Sequence, residues 1–324
     1  MWGRGSWNGV KFDKIATFIE DFGMRKRIAV VMGGVSHEAE ISLRSGEAVT
    51  KALCDAGYEV LPVRLTQESL DELPDGVEAV FIALHGGYGE NGGIQRDLDA
   101  RQIPYTGPGA WTSELCMDKV ATKRVLEAAG IKTPPGVTVK ASEADAPCPL
   151  PLPAVVKPPR DGSSVGLSKV TEACQWADAV RLACAQDAAG EALAEVYIPG
   201  RELAVGVVNG LALPVIEIIA PNGWYDFTAK YAAGGSRHVY PETSELTERV
   251  QKIAVAAAAA TKCRGAVRVD FRVTDEGEAY ILEINTTPGC TATSLLPEAA
   301  ARAGMDFPTL CAQLIERAEF DRVD

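Results

Sequence analysis

Apolar and polar residues alternate with period two over Arg268–Val273 and again over Tyr280–Asn285, as they do in half-buried strands. Between the two runs, Thr274-Asp275-Glu276-Gly277 is a turn-type cluster, so the segment predicts an antiparallel hairpin. Val267, Val269, Phe271 and Val273 fall on one face, and Arg268 and Asp270 on the other. Across the turn, Tyr280, Leu282 and Ile284 oppose Glu283 and Asn285. A four-residue loop places Arg268 opposite Glu283, with Asp270 on the diagonal. Two carboxylates and a carboxamide then share a face with a guanidinium. Hard oxygen donors of this kind suit Mg²⁺ held against phosphate oxygens. A solvated outer face shows the same alternation. Asn285, however, runs straight into Thr286-Thr287-Pro288-Gly289, which cannot continue a strand and sets the polar face at a strand end.

Elsewhere the pattern predicts an α/β first part. Arg27–Met32 is an apolar run ending in Gly33-Gly34, and a helix pattern follows to Ala56, where Gly57 stops it. Tyr58–Leu65 reads as a second strand. Val77–Leu84 reads as a third, buried on both faces, and ends in a glycine-rich run from His85 to Gly93. Such parallel sheets bind ligands at the carboxyl ends of their strands. The later part has α+β character. A helix-rich stretch runs from Ser113 to Gly130, and an Ala/Pro-rich connection covers 142–153. Pro153–Pro158 is a short strand carrying Lys157. Asp161-Gly162-Ser163-Ser164-Val165-Gly166 leads into Leu167–Val170, and further strands lie within 193–219. A glycine-containing aromatic loop spans 221–243. A helix from Ser244 to Lys262, the hairpin, and helices over Leu295–Ala303 and Phe307–Ala318 complete the chain.

Length and composition narrow the classes. The 324 residues suffice for two or three domains, and 47% hydrophobic with 23% charged residues is ordinary for a globular enzyme. A net charge of -12 argues against nucleic acid, since binding a phosphate backbone needs excess Lys and Arg. No apolar run reaches the length of a membrane span, and residues 1–23 carry no secretory signature; because Met24-Arg25-Lys26-Arg27 directly precedes the first strand, the domain reads as starting near Met24, with the preceding stretch an extension or a misplaced start. The eight cysteines are scattered without a CxxC pair, which speaks against zinc or a disulfide framework and fits a reducing cytoplasm. Cys290, in the Thr287–Cys290 loop, is the thiol singled out for reactivity.

Several loops are candidates for phosphate. Gly33-Gly34 lacks the G-x-G-x-x-G spacing. Glu38, at the following helix start, would cap the helix or hold a substrate ammonium group. The Gly-Ser loop around Ser163 lacks the Gly-Lys-Ser/Thr of a P-loop but suits a lid, with Lys157 supplying a point charge upstream. Glu195 and Glu202 flank Tyr197-Ile198-Pro199-Gly200, where they would meet an adenine amine and a ribose, or serve no ligand at all. His85, opening a glycine-rich loop at a strand end, has little packing role there.

Taken together and in order, these motifs resemble the D-alanine–D-alanine ligases of the ATP-grasp superfamily. They are Gly33-Gly34-Val35-Ser36-His37-Glu38, Ala83-Leu84-His85-Gly86, Tyr105-Thr106-Gly107, Met117-Asp118-Lys119, Lys157-Pro158, Gly162–Gly166, Ala229-Lys230-Tyr231, Arg268-Val269-Asp270 and Glu283–Gly289. The resemblance covers Met24 to about Ala318. It implies an N-terminal α/β domain (24–107), a central ATP-grasp domain (108–198) and a C-terminal one (199–324). ATP would lie between the last two. It also implies ADP-forming ligation of two D-alanines through an acyl phosphate, to supply peptidoglycan synthesis, by a cytoplasmic homodimer that has no nucleic-acid or membrane partner. Asp270, Glu283 and Asn285 would ligate two Mg²⁺, or Mn²⁺. Lys119, Lys157 and Lys230 would contact ATP phosphates, and Glu195 and Glu202 the adenine and ribose. Arg268 and the Gly289 N–H would stabilise developing charge. Glu38 and His85 would hold the first D-alanine, Ser163 and Tyr231 would border the second, and Ser294 and Leu295 would bind its carboxylate. Two other readings stand beside it: a related ligase using D-lactate or another D-amino acid as second substrate, and a nucleotide-binding module without turnover.

Overall fold

The computed structural model describes residues 26–162, 165–220, 235–291 and 294–322. Strand β1 (Arg27–Gly33) leads into helix α1 (Ala39–Asp55), then β2 (Glu59–Leu65) and β3 (Ala79–Ile82). The three strands are parallel in the order β2-β1-β3. β1 is apolar almost throughout because both faces are covered: Ile28, Val30 and Met32 enter one core, Ala29 and Val31 another. Helix α1 approaches β1 so closely that a Cβ on Gly46 would lie 2.5 Å from that of Met32. It ends where Gly57 turns the chain at φ 93°. The third strand is shorter than the apolar run Val77–Leu84 predicts. Tyr105 adds a single parallel bridge to Val80 beside it.

Helix α2 (Gly93–Ala100) follows, and the predicted helix-rich stretch proves to be two helices, α3 (Ala110–Met117) and α4 (Lys119–Ala128). They part at Asp118, whose backbone is extended and whose carboxylate accepts from the Ala121 N–H at 3.0 Å, capping α4. Lys119 therefore opens a helix instead of lying inside one. Strands β4 (Gly136–Lys140), β5 (Ala154–Lys157), β6 (Ser168–Val170) and β7 (Glu191–Val196) pair antiparallel in the order β4-β7-β5-β6. Helix α5 (Trp176–Gln186) covers one face, enclosing Val139, Val156, Trp176, Val180 and Ala194.

The remaining strands are β8 (Arg201–Val208), β9 (Leu211–Ala212), β10 (Ile216–Ile219), β11 (Arg237–Val239), β12 (Ala266–Val273) and β13 (Ala279–Asn285). Their order is β11-β10-β8-β12-β13, with β9 paired to β8. Part of the predicted 221–243 loop is thus strand: Arg237–Val239 pairs antiparallel with β10. Helix α6 (Glu245–Ala260) begins in a reciprocal cap between Ser244 and Thr247. Helices α7 (Leu295–Arg302) and α8 (Phe307–Glu316) end the described fold.

The hairpin register differs from the predicted one. Arg268 lies opposite Asn285 and Asp270 opposite Glu283, while Phe271 pairs with Ile281. Leu282 is left without a partner, the extra residue of a bulge. The bulge breaks the expected alternation: Ile281 and Ile284 enter the core, while Leu282 and Glu283 both face a cleft.

The cores join elements distant in sequence. Ile28, Val30 and Phe81 of the first sheet share one core with Ala204, Ile216 and Ile218 of the third, and with Leu296, Leu310 and Leu314 of the last two helices. Beneath the other face of the third sheet, Val250 and Ala254 of α6 pack with Val269 and Phe271, joined by Cys116 of α3 and Leu126 of α4.

Candidate active site

A cleft enclosing about 890 Å³, part of it open to solvent, separates the β4–β7 sheet from the β8–β13 sheet. Its volume is in the range of small-molecule sites. Val155 and Lys157 from β5 and Glu195 and Val196 from β7 line one wall. Glu202 from β8, Asp270 and Arg272 from β12, and Leu282 and Glu283 from β13 line the other. Lys119 at the α4 start and Gly162 also line it. Six of the sequence-derived candidates, Lys119, Lys157, Glu195, Glu202, Asp270 and Glu283, thus share one cavity.

The charges are ordered. Glu195 is buried and sits between two lysines, its Oε2 2.7 Å from Lys157 Nζ and its Oε1 2.7 Å from Lys123 Nζ. Burial pushes this carboxyl up, but the two ammonium groups outweigh it and hold Glu195 below the usual carboxylate range. Across the cleft, Arg272 reaches Glu202 at 3.2 Å, the Tyr197 hydroxyl at 3.0 Å and the Ile198 carbonyl at 3.1 Å. Lys119 donates to the Asp161 carbonyl at 2.7 Å, and its ammonium lies 3.7 Å from Glu283. Arg160 pins the α4 cap by donating to Asp118 at 2.8 Å.

Arg268 and Asp270 project on the same side of β12, and their side chains form a two-pronged pair at 2.7 and 2.8 Å. Asp270 faces Glu283 across the ladder, and Asn285 follows at the strand end. Asn285 Oδ1 accepts from the Thr287 N–H at 2.9 Å, folding the loop back on itself. Two carboxylates and a carboxamide fall short of a full cage. That donor set fits Mg²⁺, a hard cation that needs only one or two protein carboxylates.

A second group of candidates gathers where the first and third sheets meet. Glu38 makes no capping hydrogen bond to α1, so the capping role does not account for it. Its Oε2 lies 2.8 Å from where a Cβ on Gly86 would stand and 3.9 Å from one on Gly162. The carboxylate therefore sits between the glycine-rich loop and the start of the Ser163 loop. His85 is buried, its Nε2 2.9 Å from the Ser45 hydroxyl and its Nδ1 3.8 Å from Glu90. The Thr287 hydroxyl donates to the Gly89 carbonyl at 3.5 Å, joining the two loops. Gly289 nestles against Ser294: an added Cβ would fall 2.9 Å from the Ser294 hydroxyl. That hydroxyl also meets Thr291 Oγ1 at 2.7 Å. Leu295 is buried in the shared core. Ser163, Lys230 and Tyr231 lie outside the described residues.

One expectation is overturned. Cys290 is buried among apolar side chains, and burial pushes its thiol up to about 12, so it is a packing residue with no thiolate at neutral pH. All eight cysteines are free, and among the described residues no group of three or more His, Cys, Asp or Glu side chains is arranged to hold a metal. Two further charged residues, Lys123 and Arg272, pair with candidates that the sequence had marked. Lys123 follows Lys119 by one helical turn, and Arg272 continues the Arg268, Asp270 face; both spacings were available as signals.

The pocket lies between two antiparallel sheets, with Lys157 and Glu195 on one wall and Glu202, Asp270, Arg272 and Glu283 on the other, and known relatives define it as that of an ATP-grasp ligase. Residues 125–316 match the family model for the D-ala D-ala ligase C-terminus. The chain is 46% identical over 303 residues to the D-alanine–D-alanine ligase of Acidiphilium cryptum (strain JF-5), covering 90% of this chain and 98% of that one. It is 43% identical over 302 residues to that of Granulibacter bethesdensis, covering 90% and 98%. Among solved structures, the ligase from Bacillus anthracis complexed with ATP superposes with a TM-score of 0.79 at 35% identity, covering 90% and 96%. The VanG D-Ala:D-Ser ligase from Enterococcus faecalis gives 0.79 at 29%, covering 90% and 99%. The chain belongs to the D-alanine–D-alanine ligase family.

Proposed function

We propose that this chain joins two D-alanine molecules at the expense of ATP, with the residues above in defined roles. The observation that carries this reading is the meeting of Lys119, Lys157, Asp270 and Glu283 in one cleft between two sheets. A carboxylate is a poor electrophile. Transfer of the γ-phosphoryl group to the first D-alanine makes it an acyl phosphate and releases ADP. The amine of the second D-alanine then attacks the carbonyl carbon, inorganic phosphate leaves, and the amine gives up a proton. The product is D-alanyl-D-alanine, a peptidoglycan precursor.

Lys119 and Lys157 neutralise phosphate charge, joined by Lys230. Asp270, Glu283 and Asn285 would hold Mg²⁺, which would supply electrostatic stabilisation of the transferring group. Arg268, braced by Asp270, and the Gly289 N–H act on the charge that develops at the reacting centre. Glu195 and Glu202 receive the base and ribose. Glu38 and His85 hold the first D-alanine, and Ser163, Tyr231, Ser294 and Leu295 shape the second site. The division into domains at 24–107, 108–198 and 199–324, after an extension over 1–23, follows the three sheets. A homodimer in the cytoplasm completes the proposal. Among the described residues, no helix is long and apolar enough to cross a membrane.

Phosphate release from ATP tests the reaction. It should require both D-alanine and Mg²⁺. Stimulation by L-alanine and not D-alanine overturns the substrate assignment. Because a D-Ala:D-Ser ligase shares the fold, D-serine and D-lactate belong in the acceptor panel, and D-alanine should be the preferred acceptor.

A further inference from the structure

Lys123 holds no role in the reaction as set out above, yet it is paired with Glu195, which lines the cleft. Its ammonium donates to Glu195 Oε1 at 2.7 Å and also to the Pro134 carbonyl. Lys157 takes the other carboxylate oxygen, Oε2, at 2.7 Å. The side chains of Lys123, Lys157 and Glu195 are 12%, 11% and 3% exposed, so the cluster is nearly dry. With a separate cation on each oxygen, Glu195 is fixed in plane and stays ionised, able to accept hydrogen bonds and unable to donate one. With one cation removed, the same buried carboxyl would gain a proton more readily.

The surroundings leave Glu195 as the acceptor at this end of the cleft. Its ladder partners are Gly136 on β4 and Val155 on β5, both uncharged. From the opposite wall, Glu202 is engaged by Arg272. The remaining charged groups, Lys119, Asp161, Asp270 and Glu283, gather at the loop after β5 and the β13 side, where the Asp161 carboxylate accepts from the Gly162 N–H. Val155, Leu167, Ile198 and Leu282 provide apolar lining suited to a flat ring.

We propose that Lys123 is a positioning residue that sets nucleobase selectivity, holding Glu195 as an acceptor-only group that takes a purine bearing an exocyclic amine and rejects one bearing an oxo group there. This rests on the reading that Glu195 meets the base of ATP. Adenine offers N–H donors to the carboxylate. Hypoxanthine offers a carbonyl oxygen instead, and two acceptors repel. A site built around one hydrogen-bond polarity discriminates strongly, because the wrong partner leaves buried groups unpaired.

The test is phosphate release by wild-type enzyme, Lys123→Met and Lys123→Arg with ATP or ITP at saturating D-alanine and Mg²⁺. Lys123→Met should raise KM for ATP about tenfold and lower the ATP-to-ITP ratio of kcat/KM by at least about tenfold, the worth of one buried hydrogen bond. KM for D-alanine should move by less than about twofold, because the lost binding is confined to the nucleotide. Lys123→Arg keeps the charge and should restore the ratio. A uniform fall in kcat with the ATP-to-ITP ratio unchanged marks a structural role and overturns the proposal. Should Lys123→Met fail to fold, Glu195→Gln carries the test. Its amide donates as well as accepts, so selectivity should again collapse, and an unchanged ratio overturns the proposal. Wild-type enzyme that is inactive with D-alanine and either nucleotide overturns the ligase reading itself, and the proposal with it.

Discussion

Asp270 and Glu283 face each other across the β12–β13 ladder because Leu282, one residue away, has no partner there. Without that bulge, strict alternation would send Leu282 and Glu283 to opposite faces of the sheet. The irregularity keeps Ile281 and Ile284 in the core while a carboxylate enters the cleft. Replacing Glu283 by Gln keeps the shape and removes the charge. We expect kcat to fall about 10²–10³-fold, the scale for losing a preorganised electrostatic group. Far-ultraviolet circular dichroism should stay unchanged. Turnover at the parental rate would refute the assignment of Glu283 to the metal.

The closeness of Gly289 to Ser294 makes a different prediction. Gly289→Ala puts a methyl group 2.9 Å from the Ser294 hydroxyl, and overpacking of this kind costs about 1–3 kcal/mol. Removing the hydroxyl in Gly289→Ala/Ser294→Ala should recover part of the loss, so the two changes will not add. Denaturant unfolding of the four proteins measures the coupling. Simple additivity would show that the contact is absent in solution.

Thiol reactivity separates the cysteines by burial. Cys54 and Cys174 are exposed, whereas Cys290 and Cys311 are buried with their thiols pushed up by burial, Cys290 to about 12. Iodoacetamide at pH 8 should alkylate Cys54 and Cys174 in the native protein and reach Cys290 and Cys311 only after unfolding, as read by peptide mass spectrometry. Rapid native labelling of Cys290 would contradict its place in the core.

Glu195 also links stability to pH. Its folded pKa lies below the ordinary value of 4.5. Its contribution is therefore present above about pH 4.5, and is lost as the pH falls through the lower folded value. Calorimetry between pH 7 and pH 3 should show wild-type Tm dropping on the acid side, and Glu195→Gln should flatten that limb. Parallel curves for both proteins would mean the carboxyl titrates normally.

The sequence carried much of this, but unevenly. Alternation from Val267 to Val273 shows which residues turn inward, and Arg268 and Asp270 come out on one face as expected. In Tyr280–Ile284 the consecutive apolar residues Tyr280, Ile281 and Leu282 break the alternation, but the position of the bulge is set by pairing with β12, which is not written in one strand alone. Arg237–Val239 is too short for a periodic signal and becomes strand by joining β10. Lys123 was legible as a neighbour of Lys119 on α4, but its purpose depends on Glu195, which is 72 residues away. Likewise, the apolar run Arg27–Met32 and the helix over Phe307–Ala318 were legible without revealing that Ile28 and Leu314 share a core. Periodicity reports that a face is covered, and only the fold says by what.

That shared core bears on how the chain is made. Ile28 and Val30 leave the ribosome well before Leu310 and Leu314, which share their core from the far end of the fold. At about 5–20 residues per second, roughly 15–60 s separate the two events. The β4–β7 layer with α5 encloses its own apolar cluster and can settle while synthesis continues. For that interval the side of this core that α8 closes stays incompletely buried although α1 already packs on β1, and a chain lacking α8 would present that apolar surface to chaperones and proteases.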